Sequence, residues 1–214
     1  MKTLLVIRSS LFGGQGQSSQ LIEAYTRGWR DRNPGARVVC RDLAADPIPH
    51  LAGEAFAGFH VDSVQRTPAQ QATVAVSDAL IAELKIADEM VIGLPMYNFT
   101  VPSTFKSWMD HVARAGVTFQ YTENGPVGLL EDRRVVVIAT RGGHYAGTPA
   151  DTQTGLVRNF LGLLGLKQVE FIHVEGLAMG PDSAESARET ARKRLKGLVS
   201  PAVNSVTFSE SKSA

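Results

Sequence analysis

Three short segments of this 214-residue chain place hydroxyl, amide and glycine residues directly after apolar runs. The first, residues 9–19, has the sequence SSLFGGQGQSS and leads into a segment of helical periodicity. Serine hydroxyls and unhindered glycine N–H groups at a helix N-terminus form an anion-binding nest that needs no cationic side chain. A monoester phosphate would suit this segment. An ordinary turn in which Ser18 caps the helix is the alternative, and the segment alone leaves both interpretations open.

The same segment nearly matches a dinucleotide-binding fingerprint, because residues 14–19 have the sequence GQGQSS. The third small position is Ser19 rather than glycine, and Asp42 lies too far along to be the acidic residue that ends the second strand. A nucleoside-triphosphate loop would need a Lys-Ser or Lys-Thr pair, which this segment lacks. These departures leave a mononucleotide as the ligand that the segment could hold.

The second segment, residues 95–102, has the sequence PMYNFTVP and follows a buried-type apolar run. Its two aromatic rings, its thioether and the amide of Asn98 could surround a planar heterocycle, with N–H groups and the amide contacting ring heteroatoms. Pro102 is expected in the first turn of the next helix. A hydrophobic staple before that helix is the alternative, but it leaves Asn98 between two aromatic residues unexplained.

The third segment, residues 140–145, has the sequence TRGGHY and follows another apolar run. It offers a hydroxyl, a fixed cation and two glycines, and the missing Cβ atoms would let the backbone approach a ligand closely. We expect the N–H groups of Gly142 and Gly143 to donate to a ring carbonyl. A flexible turn between strand and helix is the alternative interpretation.

These segments require elements that bring them together. Strands are predicted by five runs rich in apolar, β-branched residues, at residues 4–7, 37–40, 90–94, 135–139 and 169–174. The runs are continuous rather than alternating, which is typical of a parallel sheet covered by helices on both faces. Helices between them are predicted by stripes of period 3.6, which comprise Ile22, Tyr25 and Trp29; Val76, Leu80, Ile81 and Leu84; Phe105, Trp108, Met109 and Val112; Leu156, Phe160, Leu163 and Leu164; and Ala187, Ala191, Leu195 and Leu198.

Five alternations of strand and helix predict one doubly wound α/β domain over residues 1–200, with a parallel sheet of order 2-1-3-4-5. Ligands bind such a sheet at the carboxyl ends of its strands where the order reverses, here between the first and third strands. The three polar segments would therefore converge. We expect residues 46–67 to form an ordered excursion at one sheet edge, residues 116–132 a second insertion, and residues 201–214 a disordered tail.

Charge and cysteine content narrow the class of protein. The 22 basic and 21 acidic side chains give a net charge of +1, so no global field favours nucleic acid or an anionic membrane. Cys40 is the only cysteine, which excludes an intrachain disulfide and fits a reducing cytoplasm, and we expect it to be inert on a buried second strand. The chain lacks a signal-peptide pattern and any run of about 20 apolar residues, so we expect a soluble cytoplasmic protein. The five histidines have no metal-like spacing, and we predict no metal site.

Taken together, these segments and several further motifs resemble the FMN-dependent NADH:azoreductases, also described as NADH:quinone oxidoreductases, of the flavodoxin-like superfamily. The resemblance runs from Met1 to about Ser200. It rests on Ser9-Ser10 with Gln17-Ser18, on RDLA at 41–44, PMYNF at 95–99, ARAGVTF at 113–119, YTENGP at 121–126 and RGG at 141–143. The fold that it implies is a flavodoxin-like three-layer sandwich.

By this resemblance the protein holds one FMN per subunit without covalent attachment. The phosphate would be held by Ser10, Gly16, Gln17 and Ser18, and the isoalloxazine would contact Met96, Tyr97, Asn98, Phe99, Thr140, Arg141, Gly142 and Gly143. The family often has serine where this chain has Gly16 and Thr140. Gly16 keeps a backbone N–H that could contact the phosphate, and Thr140 keeps the hydroxyl. Some relatives have an aromatic residue where this chain has Leu163, which leaves the acceptor preference open.

The resemblance implies that NADH or NADPH supplies two electrons, which pass to quinones and azo compounds in a ping-pong cycle. It also implies a homodimer with active sites at the subunit interface, where Phe119 and Tyr121 could form a wall for a flat acceptor or could simply pack against the partner. A flavin-binding electron carrier of the same fold is the second hypothesis. Near-neutral net charge favours the enzyme, because carriers between proteins tend to be acidic.

Overall fold

The computed structural model describes residues 1–199, so the segment predicted as a tail lies outside the described residues. Its central feature is a five-stranded parallel sheet of order β2-β1-β3-β6-β7. The sheet strands are β1 (Thr3–Arg8), β2 (Arg37–Asp42), β3 (Glu89–Pro95), β6 (Arg134–Thr140) and β7 (Val169–Val174). Because β2 ends at Asp42, the expectation that this acidic residue lies beyond the second strand was wrong. The remaining two strands, β4 (Phe119–Thr122) and β5 (Gly125–Gly128), form a separate antiparallel hairpin. Counted within the parallel sheet alone, the order is 2-1-3-4-5, as predicted.

Helices cover both faces of this sheet. They are α1 (Gln17–Arg32), α2 (Gly53–Ala57), α3 (Pro68–Ile86), α4 (Ser103–Val112), α5 (Thr152–Leu164) and α6 (Pro181–Val199). Successive residues of a strand point to opposite faces of the sheet. In β1, Leu5 and Ile7 pack into an apolar cluster with residues of α3, α4 and α5 on one face. Leu4 and Val6 pack into a second cluster with residues of α1 and α6 on the other face. The three-layer arrangement follows from this alternation.

The helices that border the ligand-binding edge begin in different ways. The N-cap of α1 is Gly16, not Ser18 as the turn alternative required, and α1 begins without a side-chain cap. Pro102 is the N-cap of α4 rather than a residue of its first turn. In α5 the Asp151 carboxylate accepts a hydrogen bond from the Thr154 N–H at 3.0 Å. Such a cap satisfies one of the N–H groups that a helix start leaves free.

Three burial predictions were wrong. Cys40 is exposed rather than buried, because β2 is an edge strand of the sheet. Val76 and Leu156 are also exposed, although both were assigned to apolar helix stripes. The buried face of α5 is offset by one residue from the predicted stripe and consists of Val157, Phe160, Leu161 and Leu164, preceded by Gln153.

The two predicted insertions are ordered. Residues 46–67 contain α2 and a 3₁₀ turn at Ser63–Gln65, and they lie against α3, where the Gln70 side chain donates to the Glu54 carbonyl at 3.2 Å. The insertion at residues 116–132 contains the β4–β5 hairpin and is joined to α5 by a hydrogen bond from Leu130 N to Leu164 O. Within residues 1–199, no helix is long and apolar enough to cross a membrane, and no group of three or more His, Cys, Asp or Glu side chains could hold a metal ion.

Candidate active site

Three loops meet at the carboxyl edge of the sheet, where the strand order reverses between β1 and β3. They are the first loop (residues 9–16, after β1), the second loop (residues 96–102, after β3) and the third loop (residues 141–151, after β6). The Ser9 hydroxyl donates to the Gly93 carbonyl at 2.7 Å and so fixes the first loop to β3. A Cβ at Gly93 would lie 2.6 Å from Ile22 Cδ1, so glycine there lets α1 pack closely against the sheet.

The first loop is compact, and one of its expected donors is engaged. Ser10 is buried and its Oγ accepts from Phe12 N at 3.3 Å, while the Gly16 N–H donates to the Gly13 carbonyl at 3.2 Å. The expectation that the Gly16 N–H is free for a phosphate is therefore wrong in this loop. Glycine has another role here, since a Cβ on Gly16 would lie 2.1 Å from Ser10 Oγ and would force the Ser10 side chain to move.

Free donors lie instead in the first turn of α1. The first N–H of this region to reach a helical carbonyl is that of Gln20, which donates to Gly16 O at 3.0 Å. The N–H groups of Gln17, Ser18 and Ser19 precede it and remain available, and the positive end of the helix dipole adds to their attraction for an anion. Ser18 and Ser19 are both buried against the sheet.

A cationic residue near this helix start was missed by the sequence analysis. Arg188 on α6 donates from Nη1 to the Gln17 Oε1 at 3.4 Å, and the same guanidinium pairs with Glu185. The sequence carries no signal for this contact, because Gln17 and Arg188 are 171 residues apart. The predicted anion site therefore has a guanidinium beside it, although the loop itself contains no basic residue.

The second loop contains a strained turn. Tyr97 and Thr100 exchange backbone hydrogen bonds at 3.0 and 3.1 Å, and the two residues between them adopt positive φ, 49° at Asn98 and 65° at Phe99. This left-handed conformation is uncommon for residues other than glycine and costs about 1–2 kcal/mol per residue. Strain of this kind is concentrated at functional sites. Among the described residues nothing accepts from the Asn98 or Phe99 N–H, so both donors are free for a ligand.

Direct contacts join the second loop to its neighbours. The Tyr97 hydroxyl accepts from Leu11 N at 3.2 Å in the first loop, and Met96 N donates to Thr140 O at 2.9 Å at the end of β6. Phe99 is exposed, and its ring meets Tyr145 of the third loop edge-on with centroids 5.6 Å apart. The three predicted segments therefore form one continuous surface.

Arg141 does not face this surface. Its side chain is fully buried, and its guanidinium donates to Asp151 Oδ1 at 2.8 Å, Glu175 Oε1 at 3.1 Å, Thr154 Oγ1 at 2.9 Å and Gln153 Oε1 at 3.4 Å. By the family resemblance, this residue was predicted to contact the ring. The structure instead uses its side chain to brace the third loop, and only its backbone lies near the predicted ring position.

Arg141 is paired with two carboxylates, those of Asp151 and Glu175. Burial alone would raise the pKa of the Glu175 carboxyl, but two backbone N–H groups at 2.8 Å and the Arg141 guanidinium outweigh it and hold that pKa below its usual range. The pKa of Asp151 is also lowered, because the Thr154 N–H and Arg141 outweigh the effect of burial. Burial, with a further contribution from Arg141, lowers the pKa of the His173 imidazole, so this ring stays neutral near pH 7.

The glycine pair of the third loop leaves backbone donors accessible. Gly142 is exposed, and within the described part of the chain the N–H groups of Gly142 and Gly143 have no acceptor. A Cβ at Gly143 would lie 2.9 Å from the Tyr145 hydroxyl, so a larger residue would displace that ring. The Thr140 side chain is buried at the end of β6.

Gln153 is the second residue that the sequence analysis missed. It is fully buried in α5, donates from Nε2 to the Pro95 carbonyl at 3.0 Å and accepts from Arg141 Nε. The Gln153 amide therefore contacts both Pro95, where the second loop begins, and the Arg141 guanidinium that supports the third loop. A signal was present, since Gln153 is a polar residue at the first position of the apolar stripe that continues with Val157 and Phe160.

A cleft of about 500 Å³ lies beside the second loop, which is within the range of small-molecule sites. Its apolar wall comes mainly from Leu11, Val101, Pro102 and Leu156, and its polar groups include His50 and Lys106. The His50 Nδ1 lies 3.0 Å from the Ser107 hydroxyl, so Nε2 remains for a ligand. The cleft can therefore hold a flat apolar molecule that carries a polar or anionic group.

The fold and these loops define an α/β protein with an anion site at one helix start and a planar-ligand surface beside it. A family model described as a flavodoxin-like fold matches residues 1–199. The FMN-dependent NADH:quinone oxidoreductase of Alcanivorax borkumensis is 53% identical over 192 residues, which cover 90% of this chain and 97% of that protein. The chain therefore belongs to the FMN-dependent NADH:quinone oxidoreductase family within the flavodoxin-like fold, as the sequence resemblance predicted.

Two further relatives span almost the whole described chain. The FMN-dependent NADH:quinone oxidoreductase of Escherichia coli K12 is 43% identical over 200 residues, covering 94% of this chain and all of that protein. Among solved structures, the azoreductase from Bacillus anthracis str. Sterne superposes with a TM-score of 0.85 at 28% identity, covering 93% of this chain and 99% of that one. These matches confirm the predicted flavodoxin-like fold with a five-stranded parallel sheet.

Proposed function

We propose that the protein is an FMN-dependent NAD(P)H oxidoreductase that reduces quinones and azo bonds by a ping-pong mechanism. Its relatives are named as enzymes of this class, so the protein is an oxidoreductase. The observation that carries the proposal is the convergence of three loops at the edge where the strand order reverses, with N–H groups that have no acceptor among the described residues at the start of α1 and in the second and third loops.

The residues present fit an FMN phosphate. The free N–H groups of Gln17 and Ser18, the buried hydroxyls of Ser10 and Ser18, and the nearby Arg188 guanidinium provide several donors and a positive field. Gly16 would shape this cradle by leaving room for Ser10 rather than by donating its N–H. The loss of one N–H contact is thus offset by a cation that lies outside the loop.

The residues also fit an isoalloxazine ring. The second loop would place the Asn98 and Phe99 N–H groups and the Asn98 amide along its polar edge, with Met96 and Tyr97 against its apolar body. The N–H groups of Gly142 and Gly143 would donate to ring carbonyls, while Thr140 and Arg141 would contribute through position and support. Bound FMN would supply the two-electron chemistry, accepting electrons from NADH or NADPH and delivering them to the acceptor.

The protein's own contribution to this reaction is positioning. The strained second loop is held from three sides, by Leu11, Thr140 and Thr152, so its donors are fixed before any ligand arrives. The adjacent cleft would take the co-substrates in turn, with its apolar wall against an aromatic ring and Lys106 or His50 near a polar substituent. Quinones and azo compounds are flat and aromatic, which suits this lining.

A homodimer with active sites at the interface is part of the proposal. Several large apolar side chains on or near the loops are exposed, among them Phe12 at 72%, Phe99 and Met179, and the hairpin residue Tyr121 is exposed at 76%. Exposed apolar residues of this size indicate an interaction surface. Sedimentation of the flavin-loaded protein tests this directly, and a monomer at assay concentrations would contradict it.

The central experiment is anaerobic mixing of FMN-loaded protein with NADH and, separately, NADPH. We expect flavin absorbance to bleach within seconds with at least one nucleotide, and to return when a quinone or an azo dye is added from a second syringe. Parallel lines in double-reciprocal plots would support the ping-pong order. Absence of bleaching with both nucleotides would favour an electron carrier over the enzyme.

A matched pair of variants tests the phosphate site. Ser18→Ala removes a hydroxyl from the proposed cradle, and Ser63→Ala makes the same change at an exposed position of the 3₁₀ turn. A hydrogen bond to a charged group is worth enough to weaken FMN binding by about tenfold or more in Ser18→Ala. Equal FMN affinity in the two variants would contradict the assigned position of the phosphate.

A further inference from the structure

A second cavity, of about 370 Å³, lies between α1 and the β1–β2 side of the sheet. It shares no lining residue with the cleft beside the second loop. Its polar lining is dominated by Arg8, Thr26, Arg27 and Arg30, with Val38 and Cys40 of β2 as part of the floor. The reaction proposed above makes no use of these residues.

The lining face of α1 has the wrong polarity for simple packing. Glu23, Thr26, Arg27 and Arg30 follow the i, i+3, i+4, i+7 spacing that a packed helix normally fills with apolar residues. On the neighbouring stripe of the same helix, Tyr25 and its apolar neighbours pack normally into the core. Glu23, Arg27 and Arg30 are exposed and Thr26 is partly buried, so the polar stripe borders a cavity that is open to solvent.

Two buried donors in this cavity are unsatisfied. Within residues 1–199, three buried side-chain atoms have no hydrogen-bond partner, and two of them, Arg8 Nε and Thr26 Oγ1, belong to residues that line it. Buried polar groups are almost always hydrogen-bonded in folded proteins, and neither of these two atoms has appreciable accessible surface, so a small side-chain rotation would bring them into contact with a ligand in the cavity.

The charges favour an anion. Three guanidinium groups line the cavity against the carboxylates of Glu23 and Asp31. Arg8 pairs with Glu23 at 3.4 Å, which is longer than a strong charge-assisted hydrogen bond. Within the described part of the chain, Arg27 and Arg30 form no ion pair, so their guanidinium groups can bind an oxyanion without breaking an existing contact.

We propose that this cavity is a binding site for a small molecule that carries a phosphate or carboxylate group. Arg27 and Arg30 would bind the oxyanion, and Arg8 Nε and the Thr26 hydroxyl would donate to it or to the body of the ligand. The volume accommodates a molecule up to about the size of a mononucleotide. Val38 and Cys40 would contact its less polar part.

Cys40 provides a built-in reporter, because it lines the cavity and is the only cysteine in the chain. Although the residue is exposed, desolvation by the surrounding protein raises the pKa of its thiol, so alkylation is best followed at mildly alkaline pH. The experiment measures the rate of Cys40 alkylation by iodoacetamide, by intact mass, in FMN-saturated protein. Saturation with FMN keeps the probes out of the flavin phosphate site.

The probes are inorganic phosphate, AMP and citrate, each compared with sodium chloride at equal ionic strength. We expect at least one of them to slow the alkylation of Cys40 in a saturable manner. The probe that protects most strongly indicates whether the ligand's anionic group is a free phosphate, a phosphate ester or a carboxylate. Calorimetric titration with the same probes provides an independent measure of binding if alkylation proves too slow to follow.

Variants assign the binding to the cavity. The double variant Arg27→Gln/Arg30→Gln is expected to weaken the probe by at least about tenfold, and Thr26→Val by a smaller factor. The double variant Arg192→Gln/Lys193→Gln also removes two positive charges, from exposed positions on α6, and should leave binding unchanged. FMN content and NADH oxidation should be the same in all of these proteins.

Two results would overturn the proposal. One is protection that does not saturate, or that chloride reproduces, because this would be an ionic-strength effect only. The other is an equal loss of binding in Arg192→Gln/Lys193→Gln and in Arg27→Gln/Arg30→Gln, because this would be a general effect of net charge. A failure of the NADH bleaching experiment would leave this inference untouched, since the readout does not depend on turnover.

Discussion

Replacing Arg141 tests whether this residue braces the third loop or contacts the ligand. In Arg141→Met the buried guanidinium is lost, and Asp151 and Glu175 keep their charges without a counter-ion. Removing one partner of a buried ion pair costs about 3–5 kcal/mol. We expect the lower end, about 3 kcal/mol, because both carboxylates retain backbone N–H donors at 2.8–3.0 Å. Since whole domains are stable by only about 5–15 kcal/mol, this loss is large.

The assay is urea unfolding of the flavin-free protein at neutral pH, followed by FMN titration of each variant. Arg141→Lys separates charge from geometry, because lysine keeps the positive charge but cannot form the fork that reaches Thr154 and Gln153. We expect Arg141→Lys to lose about 1–3 kcal/mol, from the hydrogen-bond acceptors it leaves unpaired, and to weaken FMN binding as well. Arg192→Met, at an exposed position, should stay within about 0.5 kcal/mol of the parent.

One set of results would refute the conclusion that the Arg141 side chain supports the third loop. If Arg141→Met unfolds within about 0.5 kcal/mol of the parent while FMN binding is lost, the side chain acts on the ligand and not on the loop. Full FMN binding in Arg141→Lys would show instead that the positive charge supports the loop without the hydrogen bonds to Thr154 and Gln153. A change in the urea dependence of the unfolding free energy would indicate instead that the unfolded state had changed.

Three further predictions concern the same edge of the sheet. Phe99→Gly should match or exceed the parent in unfolding free energy measured with urea, whereas Phe99→Val should lose about 1–2 kcal/mol, because a β-branched residue is disfavoured at φ 65°. Gly93→Ala should lose about 1–3 kcal/mol by the same measurement and weaken FMN binding, because its Cβ would press on Ile22 and displace the start of α1. Finally, the fold lowers the pKa values of Asp151 and Glu175, so their ionised forms stabilise the folded state. This stabilisation is complete above the pKa of about 4 that these carboxyls have in the unfolded chain. It is lost as the pH falls through their lower pKa values in the folded protein. Unfolding measured as a function of pH should show this acid loss in the parent and much less of it in Arg141→Met.

The fold was largely predictable because its signals are local. The five apolar runs each became a strand of the parallel sheet, and the order followed from the alternation of strands and helices. Burial was harder to predict at the sheet edge. Cys40 lies in an apolar run like the others, but the position of β2 at the margin of the sheet exposes it, and strand order is a property of the whole chain.

The candidate site was predictable in its location and less so in its contacts. The segments around Ser10, Asn98 and Gly142 do lie at one edge, as the strand order requires. The sequence showed that Arg141 is a cation at the loop but not that four buried partners turn its side chain inward. Arg188 could not have been found, because its contact depends on how α6 packs beside α1.

The single amide of Gln153 has a consequence for the kinetics of the binding edge. Because the same side chain bonds to Pro95 O and to Arg141, the loops on either side of the planar-ligand surface cannot loosen independently. Opening would have to be concerted, so a bound ring should leave in one exponential phase rather than by stepwise peeling. Gln153→Leu, which breaks both hydrogen bonds while roughly keeping the volume, should weaken this coupling and speed ligand release.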